Sequence, residues 1–280
     1  MSGGVTQSPP PDAERRFFGP PDDQAILPWY DGAYSRAFIA LHPFFAVEGL
    51  DPATCVDGPL VLDADDSPQN LGLIEWLDRE NARQRVGKEL DEDAVDDIAK
   101  LFGSTIAWQA MAARADIADH RGLNRALRTG IGGLRAELAD HPAEARLRLC
   151  CVRDRIFRPA TGVLPPPMER GLVDLFRRAR LDEIVMGDEF GDQEHVVDVA
   201  ALDMPTSWRT SSLPIPFPRR LFARDGSLLV SVHWDSFFTI ILGTEERLSG
   251  VGIDALFEGF WASVETSIGW LFQPAIPLAR

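Results

Sequence analysis

The chain has 280 residues, 45% of them hydrophobic and 25% charged, and a formal net charge of −15. These proportions allow a sizeable core and exclude a wholly disordered chain. No apolar run reaches the ~18 residues that a bilayer-spanning helix needs, and so acidic a surface disfavours nucleic acids and anionic membranes as partners.

Met1–Pro11 is rich in Ser, Gly and Pro and lacks a basic stretch followed by an apolar one. It does not read as a secretory signal, and the cytoplasm is the expected compartment. Residues 1–27 read as a flexible, Pro-rich lead, and residues 28–280 as a single α+β domain. The first ordered element is expected at Ala37–Val47, dense in Phe, Ile and Leu, with Pro43 interrupting it. Ser67-Pro68 opens a helix at about 68–85. Asp91-Glu92-Asp93 opens another, with Val95, Ile98, Ala99 and Phe102 inward. Residues 106–115 are Ala-rich and helical. Leu123, Leu127, Ile131, Leu134 and Leu138 form one helical stripe over about 122–139. Pro142 starts a helix to about 157, and Met168–Ala179 follows the break at Pro165–Pro167.

The period then shortens. Glu183–Gly187 and His195–Val199 read as paired strands. Arg219–Ala223 and Leu228–Trp234 flank Asp225-Gly226, a strong hairpin signal, and Phe237–Leu242 is a further strand. Asp254–Glu258 reads as a helical turn, and Gly259–Leu271 as one or two short last strands. Helices first (about 68–180) and strands later (about 182–272) predict an α+β fold, with the helical middle packed on a mostly antiparallel C-terminal sheet.

Several segments resemble the bacterial domain-of-unknown-function family 2711. They are Leu41–Phe44, Leu123–Leu134, Glu183–Val185 with Asp188, Ser231–Phe237, Glu258–Phe260 and Trp270. The resemblance implies a bacterial origin, no assigned activity and no catalytic residues. Near-exclusive use of arginine, with Lys88 and Lys100 the only lysines, fits a GC-rich genome.

Chemical signals are sparse. Cys55, Cys150 and Cys151 suit free buried thiols rather than a disulfide framework or a zinc site. Gly130, Gly132 and Gly133 lack the preceding strand of a phosphate loop and read as helix packing. His233 and Asp235 are the least ordinary pair. On a strand they share a face, where an imidazole and a carboxylate could form a general base; in a tight turn, Asp235 caps the turn and His233 ends a strand. Asp188, Glu189, Asp192 and Glu194 form an acidic loop between strands, and read as a solvated turn. His42, His120, His141 and His195 read as structural. His233, Asp235 and Asp188 are therefore the candidate catalytic set, with no metal or cofactor implied. Two functions stay open: a module that binds a basic protein partner, in an immunity-like or regulatory role, and a hydrolase built on His233, Asp235 and the Asp188/Glu189 loop. The first is favoured, and oligomeric state is left open.

Overall fold

The computed structural model describes residues 17–21, 24–55, 88–273 and 278. The helix expected at 68–85 lies outside these residues, as do the acidic positions 63–66 and the first part of the lead. Helices α1 (Ile26–Trp29), α2 (Glu92–Phe102), α3 (Trp108–Arg114), α4 (His120–Gly130), α5 (His141–Asp154), α6 (Pro166–Arg178) and α7 (Glu245–Leu248) are joined by two sheets. The larger sheet has seven strands: β1 (Arg36–Leu41), β4 (Glu183–Gly187), β5 (Glu194–Asp198), β6 (Arg220–Phe222), β7 (Leu228–Val232), β8 (Phe238–Gly243) and β9 (Gly259–Trp261). Their order is β5-β4-β6-β7-β8-β1-β9, and every pairing is antiparallel. β2 (Phe44–Ala46) and β3 (Ser104–Ile106) pair apart from it. The fold is the α+β class expected, with one addition: N-terminal β1 inserts between β8 and β9.

All of β7 and β8 is buried. Antiparallel strands usually alternate because one face meets water; here helices cover both faces. On one face Ile39, Leu229, Ile240 and Leu242 meet Trp108, Met111, Leu123 and Leu147 from α3, α4 and α5. On the other, Phe38, Val230 and Ile241 meet Leu172, Leu175 and Phe176 of α6. Continuous apolar runs such as Phe238–Leu242 follow from that double cover.

Local chemistry explains the helix ends. Asp91, Asp119 and Asp140 accept backbone N–H bonds at the starts of α2, α4 and α5. α4 stops at Gly130, nine residues before the expected end at 139. Gly132 has φ +67°, Gly133 N–H donates to Arg128 C=O at 2.9 Å, and Gly132 N–H donates to Thr129 C=O. This double bond pattern closes the helix through a left-handed residue. The three glycines thus end a helix rather than packing within one. Phe102, expected inward on α2, is 67% exposed, and Lys100 is buried in its place.

The described end of the lead is folded. Arg220, 1% exposed, donates to Phe17 C=O at 2.9 Å and lies over the Phe18 ring at 4.3 Å. Phe17 packs on Phe222, and Ile26 is fully buried. Aromatic side chains and one fixed guanidinium tie this segment down where a Pro-rich composition predicts a flexible chain.

Candidate functional site

The sequence-selected residues sit at one end of the sheet. β7 ends at Val232, so His233 follows the strand. Ser236 N–H donates to His233 C=O at 3.0 Å, which closes a turn around Trp234 and Asp235. That is the tight-turn arrangement, and the shared strand face does not form. Asp188 follows β4 and accepts from the amides of Gly191 (2.7 Å) and Asp192 (3.1 Å), as a turn residue does. Glu194 pairs with Arg220 at 2.9 Å. Backbone bonds from Arg219 N–H to Gly187 C=O and from Val232 N–H to Arg219 C=O bring the ends of β4, β6 and β7 side by side. Asp188 and His233 therefore lie at the same sheet end, separated by β6, which Arg219 precedes.

His42 is structural, as expected. It is fully buried; Nδ1 lies 2.7 Å from Ala160 C=O and Nε2 lies 2.9 Å from Thr239 Oγ1. Burial lowers its imidazole to about 4, against the pull of the Ala160 bond.

A cleft of about 1100 Å³ opens elsewhere, near the β9 edge. α3 supplies Gln109, Ala112 and Ala113, and the turn into α4 supplies Ile117, Asp119 and His120. Across it stand Met168 and Gly171 of α6 and the Asp254–Glu258 segment. Leu41 and Ile106 add apolar wall. The cleft thus lies where helices from the two faces of the sheet come together beyond its edge.

Glu258 organises this region. α3 begins after Ala107, which offers no side-chain cap. Glu258 replaces it from 150 positions away, accepting the Trp108 N–H at 2.8 Å. Burial raises its carboxyl, and the amides of Trp108 and Gln109 work against that rise. On the facing wall His120 stacks on Trp270, ring centres 5.7 Å apart, and burial lowers its imidazole. Neither group carries a chemical signal in the sequence. Glu258 precedes a three-residue strand, and His120 starts a helix whose cap is the neighbouring Asp119. Their roles depend on partners far away in the chain.

A second cavity, about 230 Å³, lies beside a buried ion pair. Lys100 Nζ and Glu169 Oε2 are 2.8 Å apart, each side chain 2% exposed. Lys100 also donates to Thr206 C=O at 2.8 Å, and Glu169 accepts from Trp208 N–H at 3.0 Å. Asp97 accepts from Ser207 N–H and from the Thr210 hydroxyl. Burial pushes Glu169 up to about 7, although Lys100 pulls it down. Each of these polar groups faces a partner across α2, α6 and the 206–210 loop, and the network ties those three pieces together. Among the described residues, no three His, Cys, Asp or Glu side chains gather as a metal site, and no helix is long and apolar enough to cross a membrane.

With this geometry in view, comparison with known proteins gives one result. A family model described as "Protein of unknown function (DUF2711)" matches residues 22–272. The chain belongs to that family. The segments that carry the resemblance, from Leu41 to Trp270, all fall within the match. No curated protein and no solved structure matches the chain.

Proposed function

We propose that the chain is a protein-binding module whose cleft takes an extended segment of a basic partner. One observation carries the reading: a half-open cleft of about 1100 Å³ with apolar walls, edged by Asp119, Asp254 and Glu258 and by no Lys or Arg among the described lining residues. Apolar wall supplies affinity, and the acidic edge, with Asp119 paired to Arg121 and Asp254 and Glu258 beside it, selects cationic side chains and speeds encounter. A net charge of −15 acts in the same direction over a longer range. The test is selection of displayed random heptapeptides on the wild type, with Ala112→Trp as the counter-target; Ala112 is on the cleft wall. Peptides mixing apolar residues with Lys or Arg should be enriched, and should bind the Trp variant at least ten times more weakly. Enrichment of acidic peptides, or equal binding to both proteins, sinks the reading.

A second reading, a hydrolase, draws on the sheet end where Asp188, Arg219 and His233 flank the neighbouring strands β4, β6 and β7. His233 would act as general base, with Asp235 in its turn and Asp188 across the neighbouring strand. Turnover of ester, amide or phosphoester substrates by the wild type, abolished in His233→Ala, is its requirement.

A further inference from the structure

The core behind His120 holds polar groups that an apolar core does not explain. Asn124 is fully buried in α4, and among the described residues neither its Oδ1 nor its Nδ2 has a hydrogen-bond partner. Trp270 Nε1 and His120 Nε2 are buried and unpartnered in the same sense. A buried amide without bonds is strongly disfavoured, and two unmet groups on one side chain are rare in a native core. These groups are also neighbours. His120 and Asn124 are four residues apart on one helix face. Trp270 stacks on His120 and packs in the same core as Leu123 and Leu127, which flank Asn124 on α4. His120 lies on the cleft wall, half buried, and Asn124 lies one turn further along its stripe, fully buried. The stripe therefore leads from the cleft into the core.

We propose that His120, Asn124 and Trp270 form the polar end of the cleft, and that they recognise an uncharged carboxamide carried by the ligand. Asn124 offers an N–H donor and the C=O acceptor along one edge of its amide, which a carboxamide meets with its own acceptor and donor. The Trp270 N–H supplies a second donor to the ligand carbonyl. A carboxylate would leave Asn124 Oδ1 unmet and would place a charge beside Asp119. An ammonium would find two donors aimed at it. Of the three, His120 alone lines the cleft, and Asn124 and Trp270 are buried behind the wall, so the His120 side chain must turn aside as the carboxamide enters. This inference rests on the cleft being a binding site, and it names what one end of that site reads: an Asn or Gln side chain of a bound segment.

Benzamide is the probe, and benzoate its charged counterpart. Calorimetry measures affinity, and the indole N–H resonances in a ¹H–¹⁵N spectrum, with Trp270 assigned from Trp270→Phe, locate binding. Benzamide should shift the Trp270 resonance and bind at least ten times more tightly than benzoate. Asn124→Leu should remove that preference and melt no lower than the wild type, because it replaces unmet polar groups with apolar ones of similar size. Trp270→Phe should weaken benzamide about ten-fold, the loss of one hydrogen bond to the ligand. A Trp270 resonance unmoved by benzamide, or an unchanged preference in Asn124→Leu, overturns the inference. So does a lower melting temperature in Asn124→Leu, since the amide would then be holding the fold. Peptide selection that succeeds while benzamide is silent removes this inference alone; benzamide binding with no peptide enrichment removes the peptide reading alone.

Discussion

Lys100 and Glu169 show how one residue pair sets a local balance. Each charge is removed from water, and each is repaid by its partner plus a backbone bond. Glu169→Gln leaves the ammonium buried without a counter-charge and should cost about 3–5 kcal/mol in urea unfolding. Adding Lys100→Met should recover most of that loss, because no buried charge then remains. The same pair shapes the pH response. The folded state binds a proton on Glu169 more tightly than the unfolded chain does, so its contribution to stability falls as pH rises from 4.5 to about 7. His42 works in the opposite sense. The folded state holds it neutral, so stability is lost as pH falls from 6.5 to about 4, by roughly 3 kcal/mol over the full 2.5-unit range. In the wild type the two slopes offset between pH 4.5 and 6.5. The Lys100→Met/Glu169→Gln variant lacks the first, so its stability should drop more steeply on acidification across that window. Parallel pH profiles for the two proteins contradict this assignment.

The elements are governed by their ends. Four helices finish through a left-handed residue that is not glycine: Asp31 after α1, Asp116 after α3, Arg155 after α5 and Arg180 after α6. The last three are followed by the long closing bond of the glycine-ended α4, as in Ile156 N–H to Cys151 C=O at 2.9 Å. A Cβ is strained there, so Arg155→Gly should raise stability by about 0.5–1 kcal/mol in denaturant titrations, its exposed ion pair to Asp51 contributing little. The opposite change is severe at Gly162. Its φ is +63°, and an added Cβ would sit 1.9 Å from Trp234 C=O, backbone against backbone, where the loop donates to Ser236 C=O at 2.9 Å. Gly162→Ala should cost more than about 3 kcal/mol, seen as a fall in the melting temperature. That contact also holds the turn containing His233 and Asp235 in place, so the same variant should broaden the NMR resonances of that turn.

At the scale of the whole molecule, charge and cleft combine. If the cleft takes basic segments, raising salt from 0.05 to 0.5 M should weaken a selected peptide at least several-fold, because exposed carboxylates are screened within about 10 Å or less. Affinity indifferent to salt would place the binding energy in the apolar walls alone and remove the role given to the acidic surface.

Much of the fold was legible locally. Asp91, the Pro165–Pro167 break and the Asp225-Gly226 turn each act within a few residues, and the elements they bound lie where the periodicity puts them. The long Leu stripe was misleading past Gly130, since spacing records which side chains could share a face and not where the backbone turns left-handed. His233, Asp235 and Asp188 stand out in the sequence by residue type, and the fold gathers them at one sheet end with the pair split by a turn. Glu258, His120 and Asn124 carried no chemical signal in it, although Glu258 and Asn124 fall within segments that resemble the family.

By itself, then, the order of amino acids determined the α+β class, the helix starts, the hairpins and the strongly acidic surface, because caps, turns and net charge are local or additive properties. Tertiary structure alone decided that β1 lies between β8 and β9, that both sheet faces are covered, and that a cleft opens between Glu258 and His120. Those features arise from contacts across up to two hundred residues, where the chain must close on itself before any partner is defined.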